Sequence, residues 1–406
     1  MKPRLLVAAP RFGEVSEVWM RRQIQHMSAF EISILTWSLA DDFDQSGEIT
    51  VLDTLDWNSH ARNGRWLRRA QNCFSFNFYG VTGQEKRLIT NTIASIKPDV
   101  VLAHFGPTAL KLLPITKRVK IPLIAHFHGY DLSSGLKNHW YRWSLQTQAS
   151  KFYASIVVGE FQKTVLSTLG RDEKDIYCIP CGVPVSDFEL KSPRKPEQPL
   201  EAKVRFISVG RLVKQKGFDI VLRAFARVLK TEANCELTIV GSGPELPRLR
   251  QLVQELGLDI HVRFTGAIQQ LDVVRHMHDS DIYVQHSLPG TDGSIEGFGV
   301  AITEASASGL PVVATNTGGI PDQIVTGLNG FLVEPHDEHA MGQRMLELAT
   351  NPATRGDMGL AGYRRAQEQF NTPTLAKRLE RLMLEAVQGS TTVELNRLSN
   401  PPGPQS

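Results

Sequence analysis

The chain has 406 residues, of which 41% are hydrophobic and 21% are charged. That length exceeds one ordinary domain and suits two of roughly 150–200 residues each. A formal net charge of +3 argues against a general nucleic-acid binder, although local basic patches are compatible with it. Four cysteines, Cys73, Cys178, Cys181 and Cys235, are too few for a disulfide framework. Cys178 and Cys181 form a CxxC with no second CxxC beside it, so reduced structural or loop thiols are expected. The opening MKPRLLVAAPRFGEV contains only the apolar run Leu5–Ala9. That is too short for a secretory segment, and no apolar stretch of about 18 residues follows. A cytoplasmic protein is the expectation.

The first half alternates short apolar runs with amphipathic segments. Leu5–Ala9 reads as a strand, Val18–Phe30 as a helix and Glu31–Trp37 as the next strand. Asp99–Ala103, Leu123–Phe127 and Ser155–Val158 read as further strands, with helices near Trp140–Lys151 and Glu160–Leu169. Apolar runs without polar alternation predict parallel strands covered by helices on both faces. A polar segment from Ser186 to Ala202 contains Pro193, Pro196 and Pro199 and reads as a linker.

The second half restarts with a strand at Val204–Val209 and a helix at Gly217–Lys230. Strands follow at Glu236–Val240, His261–Phe264, Ile282–Gln285, Pro311–Ala314 and Phe331–Val333. Helices are predicted at Glu245–Leu256, Asp272–Met277, Gly299–Ser308, Asp337–Leu348 and Leu375–Val387. The fold class is α/β, with an open parallel sheet in each half rather than one barrel, because the chain restarts in the middle. The expected division is residues 1–185, a linker at 186–202, a second domain at 203–370, a closing helix at 371–387 and a polar, disordered tail at 388–406.

Three segments carry candidate chemistry in the second half. FISVGRLVKQKG places Gly210, Arg211 and Lys216 just after a strand and before a helix. Two cations near a helix N-terminus at a strand's carboxyl end can neutralise a pyrophosphate. IVGSGPEL places Gly241 and Gly243 in a second such turn, which serves either tight turning or nucleotide contact. EGFGVAITEASASGLPVVATNTGGIPDQI begins at Glu296 and contains Gly297, Phe298, Gly299 and Glu304. Glu296 precedes the helix and Glu304 lies inside it, so the two acids are expected to address different parts of one hydroxyl-rich ligand.

In the first half, IAHFHGYDL holds His126 and His128, and VLAHFGPTA holds His104 in a similar strand-end position. An HxH pair suggests metal, but no Asp, Cys or third His completes a zinc signature around it. No metal site is therefore expected. Gly129 marks a strand-to-loop change, so His128 can either face a cleft between the domains or be a satisfied structural histidine. Gly13 occupies the loop after the first strand. Arg62, Arg65, Trp66 and Arg69 share a helical face, followed by Phe74, Phe76, Phe78 and Tyr79. Such a face can meet anionic lipid or simply be solvated.

Taken together, these motifs resemble the retaining glycosyltransferases of the GT-B fold, specifically group 1 of glycosyltransferase family 4. Within that family, the HFG at His104 and the HGYD at His128 look like exopolysaccharide and colanic-acid enzymes. The resemblance covers about residues 1–385 and is more specific in the second half. It implies two Rossmann-like domains facing across a cleft and a last helix returning to the first domain. It implies that Arg211 and Lys216 clasp a donor diphosphate, Glu304 binds ribose hydroxyls and Glu296 contacts the transferred sugar. His128 would lie over that sugar, Gly13 would approach donor and acceptor, and the FTGAI segment with Gly266 would border the base. No cofactor or metal is implied, only a nucleotide diphosphate sugar as substrate. The implied partners are that donor and a glycan or lipid-linked acceptor, with possible peripheral contact at the inner face of the cytoplasmic membrane and no nucleic acid. Two departures stand out. Gly13 lacks an adjacent glycine, and Asp322 in GGIPD stands where many relatives carry Glu. A nucleotide-sugar epimerase and a non-catalytic glycan or nucleotide binder remain open alternatives at this point.

Overall fold

The computed structural model describes residues 2–13, 18–39, 49–51, 79–81, 83–188 and 203–399. The basic aromatic segment at 62–78, most of the linker (189–202) and residues 400–406 lie outside the described residues. The chain forms two compact units. One comprises Met1–Pro180 with Leu375–Ser406, and the other comprises Cys181–Thr374.

The first unit contains strands β1 (Arg4–Ala9), β2 (Glu31–Thr36), β3 (Ile49–Val51), β4 (Val100–His104), β5 (Leu123–His126), β6 (Ala154–Val157) and β7 (Ile176–Cys178). They form one sheet in the order β3-β2-β1-β4-β5-β6-β7, with parallel pairing throughout. β1, β4 and β5 are almost entirely buried, which is why they read as unbroken apolar runs. The order reverses between β1 and β4, and that reversal opens a crevice at the strands' carboxyl ends.

The second unit repeats this plan with β8 (Val204–Val209), β9 (Cys235–Val240), β10 (Val262–Gly266), β11 (Ile282–Gln285), β12 (Val312–Thr315) and β13 (Gly330–Val333). The sheet order is β10-β9-β8-β11-β12-β13, again parallel. Its reversal lies between β8 and β11. These are the two strands that lead into the Arg211–Lys216 and Glu296 segments.

The structure corrects the expected boundaries. Residues 181–185 belong to the second unit, where Val183 donates its N–H to Phe370 and accepts one from Thr372. The last helix runs Thr372–Ser399, so the tail expected to be disordered from residue 388 is helical through 399. No proline interrupts this stretch before Pro401. Leu375, Leu379, Leu382, Met383 and Ala386 recur at helical spacing and are buried against Leu5, Val7, Phe30 and Ile124 of the first unit. Each fully buried leucine contributes on the order of 2 kcal/mol. Glu380 adds a 2.6 Å hydrogen bond from the Ala29 amide.

Three helices escaped the sequence reading. Gly83–Ile96 is rich in Thr and Ile, and Gly106–Val119 contains Pro114. Pro352–Gln369 contains three glycines. At Gly359 a methyl group would collide with the Gly309 carbonyl, so glycine there lets two helices approach closely. Among the described residues Cys178, Cys181 and Cys235 are free, and Cys73 lies outside them. Burial pushes the Cys181 thiol up to about 12, which leaves it unreactive at neutral pH.

Gly241 follows β9 at φ +133°, and a Cβ there would fall onto the Gly210 carbonyl oxygen, which is backbone and cannot yield. Gly257 has φ +65° and open space around its Cβ position. Gly257→Ala should therefore cost about 1–2 kcal/mol, whereas Gly241→Ala should cost at least about 3 kcal/mol. Urea unfolding of both variants checks this, and equal costs would contradict the packing account.

Candidate active site

In the second unit, the chain leaves β8 at Val209 and turns through Gly210 and Arg211 into a short 3₁₀ turn at Lys214–Lys216. The Lys216 ammonium donates to Glu296 Oε2. Ser287 Oγ donates to the same oxygen at 3.2 Å and Gln285 Nε2 reaches it at 3.5 Å. Gln285 also donates to Ser287 at 2.8 Å and accepts from the Tyr283 hydroxyl at 2.7 Å. One polar chain thus runs from Tyr283 through Gln285 and Ser287 to Glu296, with Lys216 closing it from β8. Burial pushes the Glu296 carboxyl up. The Lys216 charge and hydrogen bond, the Ser287 hydrogen bond and the Arg211 charge outweigh burial and hold it below the usual carboxylate range.

The Glu296 loop is anchored by backbone rather than by side-chain bulk. The Gly319 amide donates to the Glu296 carbonyl at 3.0 Å. Side chains at Gly318 or Gly319 would strike the Glu296 and Gly297 carbonyls. The loop then enters the helix Val300–Ala307 through Gly299, at φ +83° and without a side-chain cap. The uncapped first turn offers N–H groups to an anion. Gln323 pins this helix start by donating to the Phe298 carbonyl and accepting from Thr303 Oγ1 at 2.6 Å. Glu304, nearly buried, accepts from Gln270 at 2.8 Å. The Tyr283 hydroxyl feels both acids. Burial raises its pKa well above the usual value, and the Glu304 and Glu296 charges raise it further.

The remaining residues singled out in the second unit divide by role. Gly241 and Gly243 pack against the backbones of Gly210 and Leu212. Gly266 ends β10, and its carbonyl accepts the Gly241 amide at 2.9 Å. The Phe298 ring is buried edge-on against Phe370 at 5.6 Å and its carbonyl is taken by Gln323, so its ring belongs to the core of the loop. Tyr283, Gln285, Ser287, Gln270 and Gln323 were not identified from sequence. Gln285 and Ser287 do alternate at the carboxyl end of an apolar strand, a signal that could have been used.

In the first unit, Gly13 follows β1 at φ +90°, and residues 14–17 beyond it lie outside the described residues. The histidines bring a correction. β4 and β5 pair with His104 directly beside His126, and His128 lies two residues on, so the third histidine missing from the HxH pattern is His104. His104 Nδ1 lies 3.1 Å from His128 Nε2, and one ligand atom from each ring falls within 4.8 Å of the others. These three imidazoles could hold a metal ion. Burial alone brings His104 down to about 3. Burial, then the neighbouring histidines, lower His126 and His128 well below the usual value, so all three rings are neutral at pH 7.

Asp131, also missed, fixes this end of β5. Its fully buried carboxylate accepts from the amides of Gly106, His128 and Gly129, each at 3.0 Å. Gln162 donates to the His128 carbonyl at 2.8 Å. His128 is thus clamped by its backbone on both sides.

Residues 191–365 match the description "Glycosyl transferases group 1" and residues 32–187 match "Glycosyltransferase Family 4". A putative colanic acid biosynthesis glycosyltransferase, WcaL of Salmonella typhimurium, is 31% identical over 292 residues, spanning 70% of each chain. The chain belongs to glycosyltransferase family 4. A GDP-mannose-dependent phosphatidylinositol monomannoside mannosyltransferase of Mycolicibacterium smegmatis is 32% identical, covering 86% of this chain and 88% of its own. The structure of Anabaena HepE with UDP superposes with a TM-score of 0.74 at 18% identity, over 94% of this chain and all of that one, and it shares the GT-B fold. As a family member the chain is a glycosyltransferase.

His286 sits at the end of β11, with its Nε2 accepting the His336 amide at 3.0 Å and its Nδ1 3.2 Å from Met341 Sδ. Burial, reinforced by His336 and opposed by Asp219 and Asp337, brings its pKa from 6.5 to about 4. The unfolded chain therefore binds a proton first. The stability tied to neutral His286 is complete above pH 6.5 and is lost as pH falls through about 4. A His286→Gln variant should show a shallower loss of unfolding free energy across that window than the parent protein. Denaturant titrations at a series of pH values check this, and parallel profiles would contradict it.

Proposed function

We propose that the chain transfers a hexose from a nucleoside diphosphate sugar, with UDP-galactose or UDP-glucose as donor, to a lipid-linked or oligosaccharide acceptor in exopolysaccharide assembly. The observation that carries this is the Lys216–Glu296 pair, with Arg211 beside it, at the β8/β11 reversal of the second unit. Cations at that point suit a diphosphate, and a fixed carboxylate suits sugar hydroxyls. The exopolysaccharide context is supported by the names of WcaL and of the amylovoran enzyme AmsK of Erwinia amylovora, which is 29% identical. The UDP preference is supported by HepE, solved with UDP-glucose. The mycobacterial relative's dependence on GDP-mannose supports a second reading of the donor, with guanine and mannose in place of uracil and glucose. Among the described residues no helix is long and apolar enough to cross a membrane. The proposed setting is the cytoplasm, with the acceptor presented at the inner membrane face.

The proposed mechanism is front-face transfer with retention at the anomeric carbon and no protein nucleophile. As the glycosidic bond breaks, positive charge grows on the sugar and negative charge on the leaving diphosphate. Arg211, Lys216 and the amides at Gly299 stabilise that negative charge where it develops. The departing phosphate oxygen takes the acceptor's proton as the new bond forms on the same face. Glu296 orients the sugar through its hydroxyls, and Glu304 holds the ribose. His128 supplies a neutral imidazole to the transferred sugar, and Gly13 leaves room for donor and acceptor.

Lys216→Ala and Glu296→Ala should each lower kcat at least about tenfold, a barrier increase above about 1.4 kcal/mol, with circular dichroism unchanged. Glu304→Ala should mainly raise the donor KM. Steady-state kinetics with a panel of UDP- and GDP-sugars and NMR of the product anomer check both rate and stereochemistry. An inverted product, or full activity in both the Lys216 and Glu296 variants, would overturn the mechanism. Thermal shifts with UDP, GDP and ADP decide the base, and stabilisation by GDP alone would select the guanine reading.

A further inference from the structure

We propose that His104, His126 and His128 form a binding site for a transition-metal dication of the zinc class in the first unit. The sheet itself builds the ligand set. His126 ends β5 and His128 lies two residues on, with the two rings 4.2 Å apart. Parallel register places His104 directly beside His126, on the same face of the sheet. His104 Nδ1 and His128 Nε2 are 3.1 Å apart. Two nitrogens on one tetrahedral zinc, each at about 2.0–2.1 Å, would be roughly 3.3 Å apart. One nitrogen from each of the three rings lies within 4.8 Å of the others, so modest side-chain rotation brings all three onto one ion.

A second observation points the same way. His126 has a single backbone contact, to Ile179, which leaves one of its buried ring nitrogens, and the buried Nδ1 of His128, without a hydrogen-bond partner. Buried polar atoms normally have partners, and each one without a partner costs about 1–3 kcal/mol. A metal ion satisfies imidazole lone pairs that the surrounding groups cannot. Those surroundings are aromatic. The Trp19 ring lies 4.2 Å from the His128 ring and 5.4 Å from the His104 ring, and Phe105 stands edge-on to His128 at 4.9 Å.

The ligand chemistry selects the ion. Three neutral imidazoles suit Zn²⁺, Co²⁺, Ni²⁺ or Cu²⁺, and without oxygen ligands they do not suit Mg²⁺ or Ca²⁺. Asp131 is the nearby carboxylate, and its oxygens are committed to the amides of Gly106, His128 and Gly129. It acts as a positioning residue that holds His128 in place. A three-histidine set leaves a fourth coordination position for water or a ligand oxygen. A further consequence rests on the role proposed above for His128. A bound ion would occupy that imidazole, so metal would inhibit sugar transfer, and the metal-free protein would be the active form.

The test uses the full chain, stripped with chelator, with no sugar donor present. Titration with Co²⁺, followed by visible absorption, should give one ion per chain and the intense ligand-field bands of a four-coordinate centre, displaced stoichiometrically by Zn²⁺. His104→Ala and His126→Ala should each weaken Co²⁺ binding at least about a hundredfold, with folding verified by circular dichroism. Should His126→Ala fail to fold, His104→Phe provides the same reading while filling the space. A double variant of half-buried His276 and exposed His278, in the second unit, should bind as the parent does. Absence of the bands, or bands that survive His104→Ala, would overturn the site and leave the transferase proposal standing. Absence of turnover with every donor would overturn the transferase proposal and leave the metal titration unaffected. Zn²⁺ that binds without slowing transfer would overturn only the inhibitory consequence.

Discussion

The Lys216–Glu296 ion pair sets the terms for the second unit. Both side chains are largely withdrawn from water, with 19% and 15% of their surfaces exposed. A charge held there without its partner would be costly. The pair can form only if two segments about eighty residues apart in sequence meet at one point, and the β8/β11 reversal is where they meet. Everything nearby supports that meeting. Gly318 and Gly319 admit the Glu296 loop at backbone distance, Ser287 and Gln285 satisfy the carboxylate, and Tyr283 extends the chain of hydrogen bonds toward Glu304. Each donor polarises the next, so the network holds the acid more firmly than any one contact would.

The first unit uses the same sheet plan for an opposite electrostatic purpose. Its strand ends carry neutral imidazoles in an aromatic setting rather than a charge pair. Burial without a counter-charge keeps the three rings unprotonated, and Asp131 spends its hydrogen-bonding capacity on backbone amides instead of on a histidine. One topology therefore supplies a polar grip in one unit and a dry, nitrogen-rich surface in the other. The fold specifies where ligands can be met, and the side chains at the strand ends decide which chemistry meets them.

All strands but the three-residue edge strands β3 and β7 were legible, because buried parallel strands leave an apolar signature that needs no long-range information. The helices that escaped notice were hidden by residues with poor helix propensity. Pro114 sits inside Gly106–Val119, and the glycines of Pro352–Gln369 serve contact with a neighbouring helix. Propensity is a weak prior, and tertiary packing overrode it in both places. The helical continuation past residue 388 was obscured in the same way, because polar composition was read as disorder where no helix breaker intervened.

From the sequence by itself came the two-part α/β plan, the turn residues at the strand ends and the resemblance carried by Arg211, Lys216, Glu296 and Glu304. These follow from local patterning, since a strand running into glycine, charge and a helix is written in consecutive residues. The tertiary structure alone decided which residues touch. It joined Lys216 to Glu296, recruited Gln285 and Ser287, withdrew the Phe298 ring into the core and set His104 beside His126. Register between separate strands creates those contacts. Register depends on how whole sheets pack, so no local pattern around His104, His126 or His128 could reveal that the three rings converge.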